Sequence, residues 1–177
     1  MLNWFSRRSG SRRAAALLYR RIVAQSRLPV FYAEFGVPDT LEGRFELLTL
    51  HMFLALNALR SGEGRHPVAQ PLVDAFFADM DAAMREMGVG DLAVPKRMRA
   101  LAAAFHERLQ DYRGGAERPD GLAPIIARHI LKGPEPRAAA RLAAYVEATL
   151  ATAGRRSSGA VEAADAVAFA AIPGQPF

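Results

Sequence analysis

Apolar side chains recur at intervals of three and four residues between positions 41 and 59, which is typical of a helix with one buried face. The stripe consists of Leu41, Phe45, Leu48, Met52, Ala55 and Leu59. Asp39 precedes it, and Glu42 stands three residues later at the spacing of a capping box, so the pattern predicts a helix that begins at Asp39. Gly43 lies in the first turns, where glycine costs about 1 kcal/mol relative to alanine. A glycine at this position predicts the close approach of another backbone.

Similar spacing along most of the chain predicts an all-α fold. Only 19 residues are valine, isoleucine or threonine, whereas alanine, leucine, arginine and glutamate are abundant, and this composition favours helix over strand. Pro29 is expected to end or kink the first helix, and Gly114-Gly115 and Gly133-Pro134 are expected to interrupt the helices that precede them. The expected helices cover residues 12–27, 39–61, 67–86, 94–112, 119–131 and 135–152, with a short aromatic piece from Val30 to Phe35.

A single compact multi-helix domain accounts for a chain of 177 residues that is 51% apolar, because this length buries a sizeable core. We expect a flexible basic arm at residues 1–11, the helical domain at residues 12–152 and a mobile C-terminal tail at residues 153–177. The tail is rich in small and turn-forming residues at both ends, and its middle allows one short helix from Val161 to Phe169.

The composition excludes several kinds of site. Cysteine is absent, which rules out disulfides, thiolate metal sites and cysteine nucleophiles. The apolar stretch from Leu47 to Leu59 is interrupted by Thr49, His51 and Asn57, and a membrane span needs about 20 mostly apolar residues. No compact apolar block follows the basic N-terminus, so no secretory signal is predicted.

Positive charge is concentrated at the N-terminus. Residues 1–33 contain seven arginines and no acidic residue, a charge of +7, whereas residues 34–177 hold 16 basic and 18 acidic side chains, a charge of −2. Such a segment is either a solvated arm or a contact for an anionic partner. The candidate contacts for an anionic surface are Arg7, Arg8, Arg12, Arg13, Arg20 and Arg21.

Short motifs between Tyr19 and Tyr112 carry a family resemblance. They are Gln25-Ser26-Arg27, Phe31-Tyr32, Gly36-Val37-Pro38-Asp39-Thr40, Gly43-Arg44-Phe45, Leu50-His51, Phe77-Ala78-Asp79-Met80-Asp81, Arg85-Glu86-Met87-Gly88-Val89-Gly90-Asp91 and Val94-Pro95-Lys96-Arg97-Met98. Taken in this order, they resemble the ubiquinol–cytochrome c chaperone family. The family tends to have Gly-Arg before a tyrosine where this chain has Glu107-Arg108 before Tyr112. The resemblance therefore does not imply, for this chain, a role that needs that glycine.

The resemblance implies a helical, non-enzymatic assembly factor of ubiquinol–cytochrome c reductase whose client is newly made cytochrome b. Mitochondrial relatives work near the ribosomal tunnel exit at the inner membrane with a small second subunit, and the motifs do not carry these two partners over to a bacterial relative. The arginine-rich composition and the compact length favour a bacterial protein on the cytoplasmic side, peripheral to the inner membrane; a eukaryotic relative would lie on the matrix side. No cofactor and no DNA partner are expected.

Two interpretations apply to the residues around the motif Gly-Val-Pro-Asp-Thr. In one, Asp39, Thr40 and Arg44 fix a turn and a helix crossing, with Arg44 pairing with Asp39 or with an aspartate of a neighbouring helix. In the other, they form a partner-facing rim beside an aromatic cluster, because arginine and aromatic side chains are typical anchors of interfaces. The predicted partner contacts are Phe31, Tyr32, Phe35, Asp39, Thr40, Arg44, His51, Asp81 and Arg85.

No combination of residues predicts an active site or a metal site. His51 has no second ligand at helical spacing and is better explained as a hydrogen-bonded core histidine, although it is also retained among the partner contacts. Asp81 and Arg85 are four residues apart and are expected to pair on one helix face. Gly88 and Gly90 follow no strand and lack a third glycine, so they predict no phosphate site.

Two further hypotheses use the basic head. It predicts a ribosome- or RNA-binding adaptor, whose affinity would fall steeply with salt. Alternatively, Trp4 and Phe5, flanked by arginines, contact an anionic membrane surface.

Overall fold

Every regular element in the described residues is a helix, which confirms the predicted all-α fold. This computed structural model describes residues 2–60, 66–156 and 167–172. The helices are α1 (Leu2–Ser26), α2 (Pro29–Ala33), α3 (Leu41–Ala58), α4 (Ala69–Glu86), α5 (Val94–Ala116), α6 (Leu122–Ile126) and α7 (Pro136–Arg156), and a π-helical turn (Ala127–Leu131) continues α6. Within these ranges, no helix combines the length and the apolar character that crossing a membrane requires.

Helix α3 runs through the core, because most of its side chains are buried between neighbours on several sides. It packs against α1, α5, α7 and the π-helical turn. On one side lies a cluster with α2, α5, α6 and α7 that includes Phe31, Phe53, Tyr112, Leu142 and Val146. On the other side lies a cluster with α1, α4 and α5 that includes Leu18, Ile22, Met52, Phe76 and Phe105.

Two of the differences between the predicted and the observed helix starts have a clear physical reason. Helix α1 begins at Leu2 rather than at residue 12, because arginine and alanine are good helix formers and Gly10 alone costs only about 1 kcal/mol. Helix α3 is capped by Thr40 and not by Asp39, since the Thr40 side chain accepts a hydrogen bond from the Gly43 N–H at 3.1 Å. The flexibility of residues 1–11 stays a prediction.

The predicted break at Gly114-Gly115 is wrong, because α5 continues through both glycines to Ala116. Gly115 is needed for packing instead: a Cβ there would stand 2.6 Å from Cδ1 of Ile125 and 3.0 Å from the carbonyl oxygen of Gly121. The glycine therefore lets α6 fold back against the end of α5. The π-helical turn that continues α6 ends at Lys132, whose φ of 57° is left-handed.

Residues 167–172 pack against the core without regular secondary structure. Val167 and Ile172 are buried, and Phe169 packs against both clusters. The Ala170 N–H donates a hydrogen bond to Oγ1 of Thr149 on α7 at 3.1 Å. The sequence analysis did not predict this contact, and most of its expected helix from Val161 to Phe169 lies outside the described residues.

Candidate partner-binding surface

The turn before α3 is held by a close approach and by an ion pair. Gly43 lies so close to Pro38 that a Cβ would stand 2.0 Å from the Pro38 carbonyl oxygen, which confirms the predicted backbone contact. Arg44 Nε donates to Asp39 Oδ1 at 2.7 Å, as expected for the first of its predicted partners. This hydrogen bond from Arg44 lowers the pKa of Asp39. The turn therefore presents a fixed pair of charges.

The exposure of Leu41 differs from the sequence prediction. It was predicted as the first member of the buried stripe, yet 65% of it is exposed in the first turn of α3. The apolar spacing continues to the helix end, but none of the described helices covers the Leu41 side chain. We define the motif surface as Tyr32, Asp39, Thr40, Leu41 and Arg44; the first is half-buried and the other four are exposed.

Three of the predicted contact residues lie in the core and not at the motif surface. Phe31, Phe35 and His51 are buried, so in this conformation they present no surface to a partner. Phe31 stacks edge-on to His51 and to Tyr145 of α7, with ring centroids 5.2 Å apart in both cases. This aromatic packing joins α2 to α3 and α7, and the direct contact of these three residues with a partner stays a prediction.

His51 is the hydrogen-bonded core histidine that its sequence context favours. Its Nδ1 lies 2.8 Å from the carbonyl oxygen of Leu47 and its Nε2 lies 3.0 Å from the Tyr145 hydroxyl. A neutral ring satisfies both contacts, with Nδ1 donating to the carbonyl and Nε2 accepting from the hydroxyl. Burial lowers the pKa of His51 to about 4, against a smaller upward effect of the Leu47 carbonyl. The ring is therefore neutral at physiological pH.

Tyr32 joins the motif surface to the end of α1. Its hydroxyl donates to the Ser26 carbonyl oxygen at 2.9 Å, and partial burial raises the pKa of the phenol. The exposed face of the Tyr32 ring forms part of the motif surface. Tyr32 therefore links the turn that precedes α2 to the charges at the start of α3.

The predicted contacts on α4 form a separate cluster. Arg85 Nε donates to Asp81 Oδ2 at 2.7 Å, which confirms the expected pair. The same guanidinium also pairs with Asp91 in the connection to α5. Asp79, one of the aspartates of α4, accepts a hydrogen bond from the Tyr19 hydroxyl of α1 at 2.7 Å. The ion pairs of Arg85 with Asp81 and Asp91 therefore join α4 to the connection that leads to α5.

The arginines of α1 form an exposed basic face. Arg12, Arg13, Arg20 and Arg21 are all exposed, and Leu17, 45% exposed, lies among them. The side chains of Arg7, Arg8, Trp4 and Phe5 lie outside the described residues. No acidic residue occurs in α1 to offset these charges.

An open groove of about 820 Å³ lies between the first half of α4 and the second half of α5, with the end of α3 at its base. Sequence reasoning did not find it, because its walls come from three helices that are far apart in the chain. Its lining consists of Leu56, Leu59, Arg60, Ala69, Gln70, Val73, Asp74, Phe77, Phe105, His106, Leu109, Gln110 and Arg113.

Comparison with known proteins decides the family. The model of the ubiquinol-cytochrome C chaperone family matches residues 33–169. The chain belongs to this family. The match includes four of the five residues of the motif surface and the whole groove, whereas α1 precedes it.

Two relatives support the assignment. The crystal structure of the Cbp3 homolog from Brucella abortus superposes with a TM-score of 0.78 at 36% identity and covers 96% of each chain. A protein from Xenopus laevis named ubiquinol-cytochrome-c reductase complex assembly factor 1 is 24% identical over 137 residues, which is 75% of this chain and 68% of that protein. As a member of this family, the chain is an assembly chaperone of ubiquinol–cytochrome c reductase.

Proposed function

We propose that the client of this chaperone is newly made cytochrome b and that the motif surface contacts it. The observation that carries the proposal is the exposure of Asp39, Leu41 and Arg44 within the family-matched residues. Side chains that served packing alone would be buried. The chaperone acts by holding its client and not by catalysis.

The chemistry of the motif surface suits an apolar client segment with polar ends. Leu41 supplies an apolar contact, and Arg44 and Asp39 supply paired charges beside it, the combination of anchor and polar rim that interfaces use. The contact between Gly43 and Pro38 limits motion of the turn, so little conformational entropy is lost when a partner binds.

A photo-crosslinker tests this contact directly. Benzoylphenylalanine replaces Leu41 in one variant and Leu92 in a matched control, since Leu92 is 99% exposed in the α4–α5 connection. Each variant is irradiated during translation of cytochrome b. We expect cross-links to cytochrome b from position 41 and none from position 92. Equal yields at both positions, or none at position 41, would contradict the proposal.

Cells lacking the gene provide the second test. We expect them to lose cytochrome b while the message for cytochrome c₁ stays normal. The Arg44→Ala variant should restore cytochrome b poorly, whereas Arg137→Ala, which removes an exposed arginine of α7, should restore it fully. Both variants must accumulate to the same level. Normal cytochrome b in the deletion strain would remove cytochrome b as the client.

A second candidate property is contact of α1 with the anionic cytoplasmic face of the inner membrane. Leu17 lies on the same helix face as Arg13, Arg20 and Arg21, the arrangement of an amphipathic helix that lies on a lipid surface. Flotation with vesicles that contain anionic lipid should fall for Leu17→Ser and for Trp4→Ser. Unchanged flotation of both variants would oppose the membrane contact. Salt-sensitive co-sedimentation with ribosomes under the same conditions would favour the ribosome instead.

A small second subunit fits the same proposal. If the subunit and cytochrome b bind at the same time, the subunit must contact a surface of this chain other than the motif surface. Cross-linking from position 41 in the presence of such a subunit tests this: unchanged yields with cytochrome b indicate separate surfaces, and competition indicates a shared one.

A further inference from the structure

The groove between α3, α4 and α5 has an apolar floor and a polar rim. Its floor includes four side chains that are only half-buried and so remain open to contact: Leu56, Val73, Phe77 and Leu109. Its rim consists of exposed polar side chains: Arg60, Gln70, Asp74, His106, Gln110 and Arg113. An apolar patch enclosed by polar residues is typical of a protein-binding site.

The shape of the groove fits a helix. Two helices supply the sides of the groove, and each side includes residues of both the floor and the rim. The α4 side consists of residues 69, 70, 73, 74 and 77, and the α5 side consists of residues 105, 106, 109, 110 and 113. Both sets have the same spacing, so each wall is one face of a helix. At 1.5 Å per residue, each wall is about 12 Å long. That length accommodates apolar anchors at positions i, i+3, i+4 and i+7 of a third helix.

The charge of the rim favours an acidic partner. Arg60 and Arg113 have no ion pair among the described residues, whereas Asp74 accepts a hydrogen bond from Gln70 Nε2 at 2.9 Å. The α4–α5 hairpin places the end of α5 beside the start of α4, and the end of α3 leads into that same start. Both arginines therefore lie at one end of the groove.

We propose that this groove binds an amphipathic helix of a partner protein, with apolar residues on the floor and acidic residues paired with Arg60 and Arg113. The inference depends on the groove alone and not on the identity of the client. The result of the cross-linking experiment at position 41 therefore neither supports nor weakens the proposal for the groove.

Designed peptides of about five helical turns test the proposal. Both carry leucines on one face; one has glutamates at the end of that face, and the other has lysines at the same positions. Binding to the full chain is measured by fluorescence anisotropy. We expect the acidic peptide to bind more tightly than the basic one by about threefold to tenfold, the effect of one or two exposed ion pairs.

Variants assign the binding to the groove. Val73→Glu places a charge on the floor and should weaken binding of the acidic peptide more than tenfold, as loss of a central interface contact does. Leu92→Glu is the control for an added charge outside the groove. The double variant Arg60→Glu/Arg113→Glu should bind the basic peptide in preference to the acidic one. The double variant Arg97→Glu/Arg137→Glu changes the net charge equally and should retain the original preference.

Three results would overturn the proposal. The first is equal affinity for both peptides. The second is unchanged binding by Val73→Glu, provided that circular dichroism shows a folded protein. The third is a dimer of the wild-type chain that Val73→Glu dissociates, because a second copy would then occupy the groove.

Discussion

Arg108 of α5 holds the buried carboxylate of Glu46 in α3 with two contacts, Nη2 to Oε1 at 2.9 Å and Nε to Oε2 at 3.2 Å. Glu107 lies on the exposed side of α5, where it pairs with Arg108 Nη1 at 2.9 Å. The Arg108 side chain is mostly buried, so the same guanidinium joins an exposed carboxylate to a buried one.

Removal of Arg108 should destabilise the fold, because among the described residues it leaves the buried Glu46 carboxylate only Lys132 Nζ, at 3.7 Å, as an ionic partner. We expect Arg108→Met to lower the free energy of unfolding by about 3 kcal/mol. The double variant Glu46→Met/Arg108→Met should recover most of that loss, since it removes both charges. Urea unfolding measures all three proteins. Equal stability of the single and double variants would show that the pair is not the source of the effect.

Stability should fall in mild acid because of His51. Its pKa of about 4 in the folded chain lies below the ordinary value of about 6.5, so the unfolded chain binds the proton more readily. Stability is therefore lost as the pH falls from about 6.5 towards 4, and the loss levels off below 4. The expected loss at pH 5 is about 2 kcal/mol. The free energy of unfolding, measured with denaturant, should depend less on pH in His51→Gln than in the wild type. His106→Gln is the control and should keep the pH dependence of the wild type. The same pH dependence in all three proteins would contradict this prediction.

Alanine should have opposite effects at two glycines. At Gly43 a Cβ would stand 2.0 Å from the Pro38 carbonyl oxygen, which requires the backbone to shift. We expect Gly43→Ala to cost about 2–4 kcal/mol. At Gly114, within α5, a Cβ meets nothing within 4 Å, so Gly114→Ala should stabilise by about 0.5–1 kcal/mol. Thermal unfolding of both variants measures the difference, and a destabilised Gly114→Ala would count against the described path of α5.

The capping residue of α3 can be identified by substitution. Thr40→Ala should lower the free energy of unfolding by about 1 kcal/mol, because the Gly43 N–H loses its acceptor. Thr40→Ser keeps the hydroxyl and should change little. Asp39→Ala removes an exposed partner of Arg44 and should have a smaller effect than Thr40→Ala. If chemical denaturation ranks Asp39→Ala as the more damaging, the carboxylate caps the helix in solution.

Much of the fold could be predicted from local pattern. The intervals of three and four between apolar residues place α3, α4, α5 and α7, because a helical face repeats within a few residues. The motifs around Gly-Val-Pro-Asp-Thr also sufficed to indicate the family. The helix ends were less certain: Thr40 and Asp39 are both good caps by type, and only the geometry of the turn selects one of them.

The sequence by itself determined the helical class, the buried face of most helices, the basic N-terminal segment and the family. Only the tertiary structure decided that Leu41 is exposed, that His51 meets Tyr145 of α7, and that faces of α3, α4 and α5 leave a groove. The physical reason is the range of the interactions. Helix formation depends on neighbours within one or two turns, whereas burial depends on which distant helix covers a given face, and no local spacing specifies that partner.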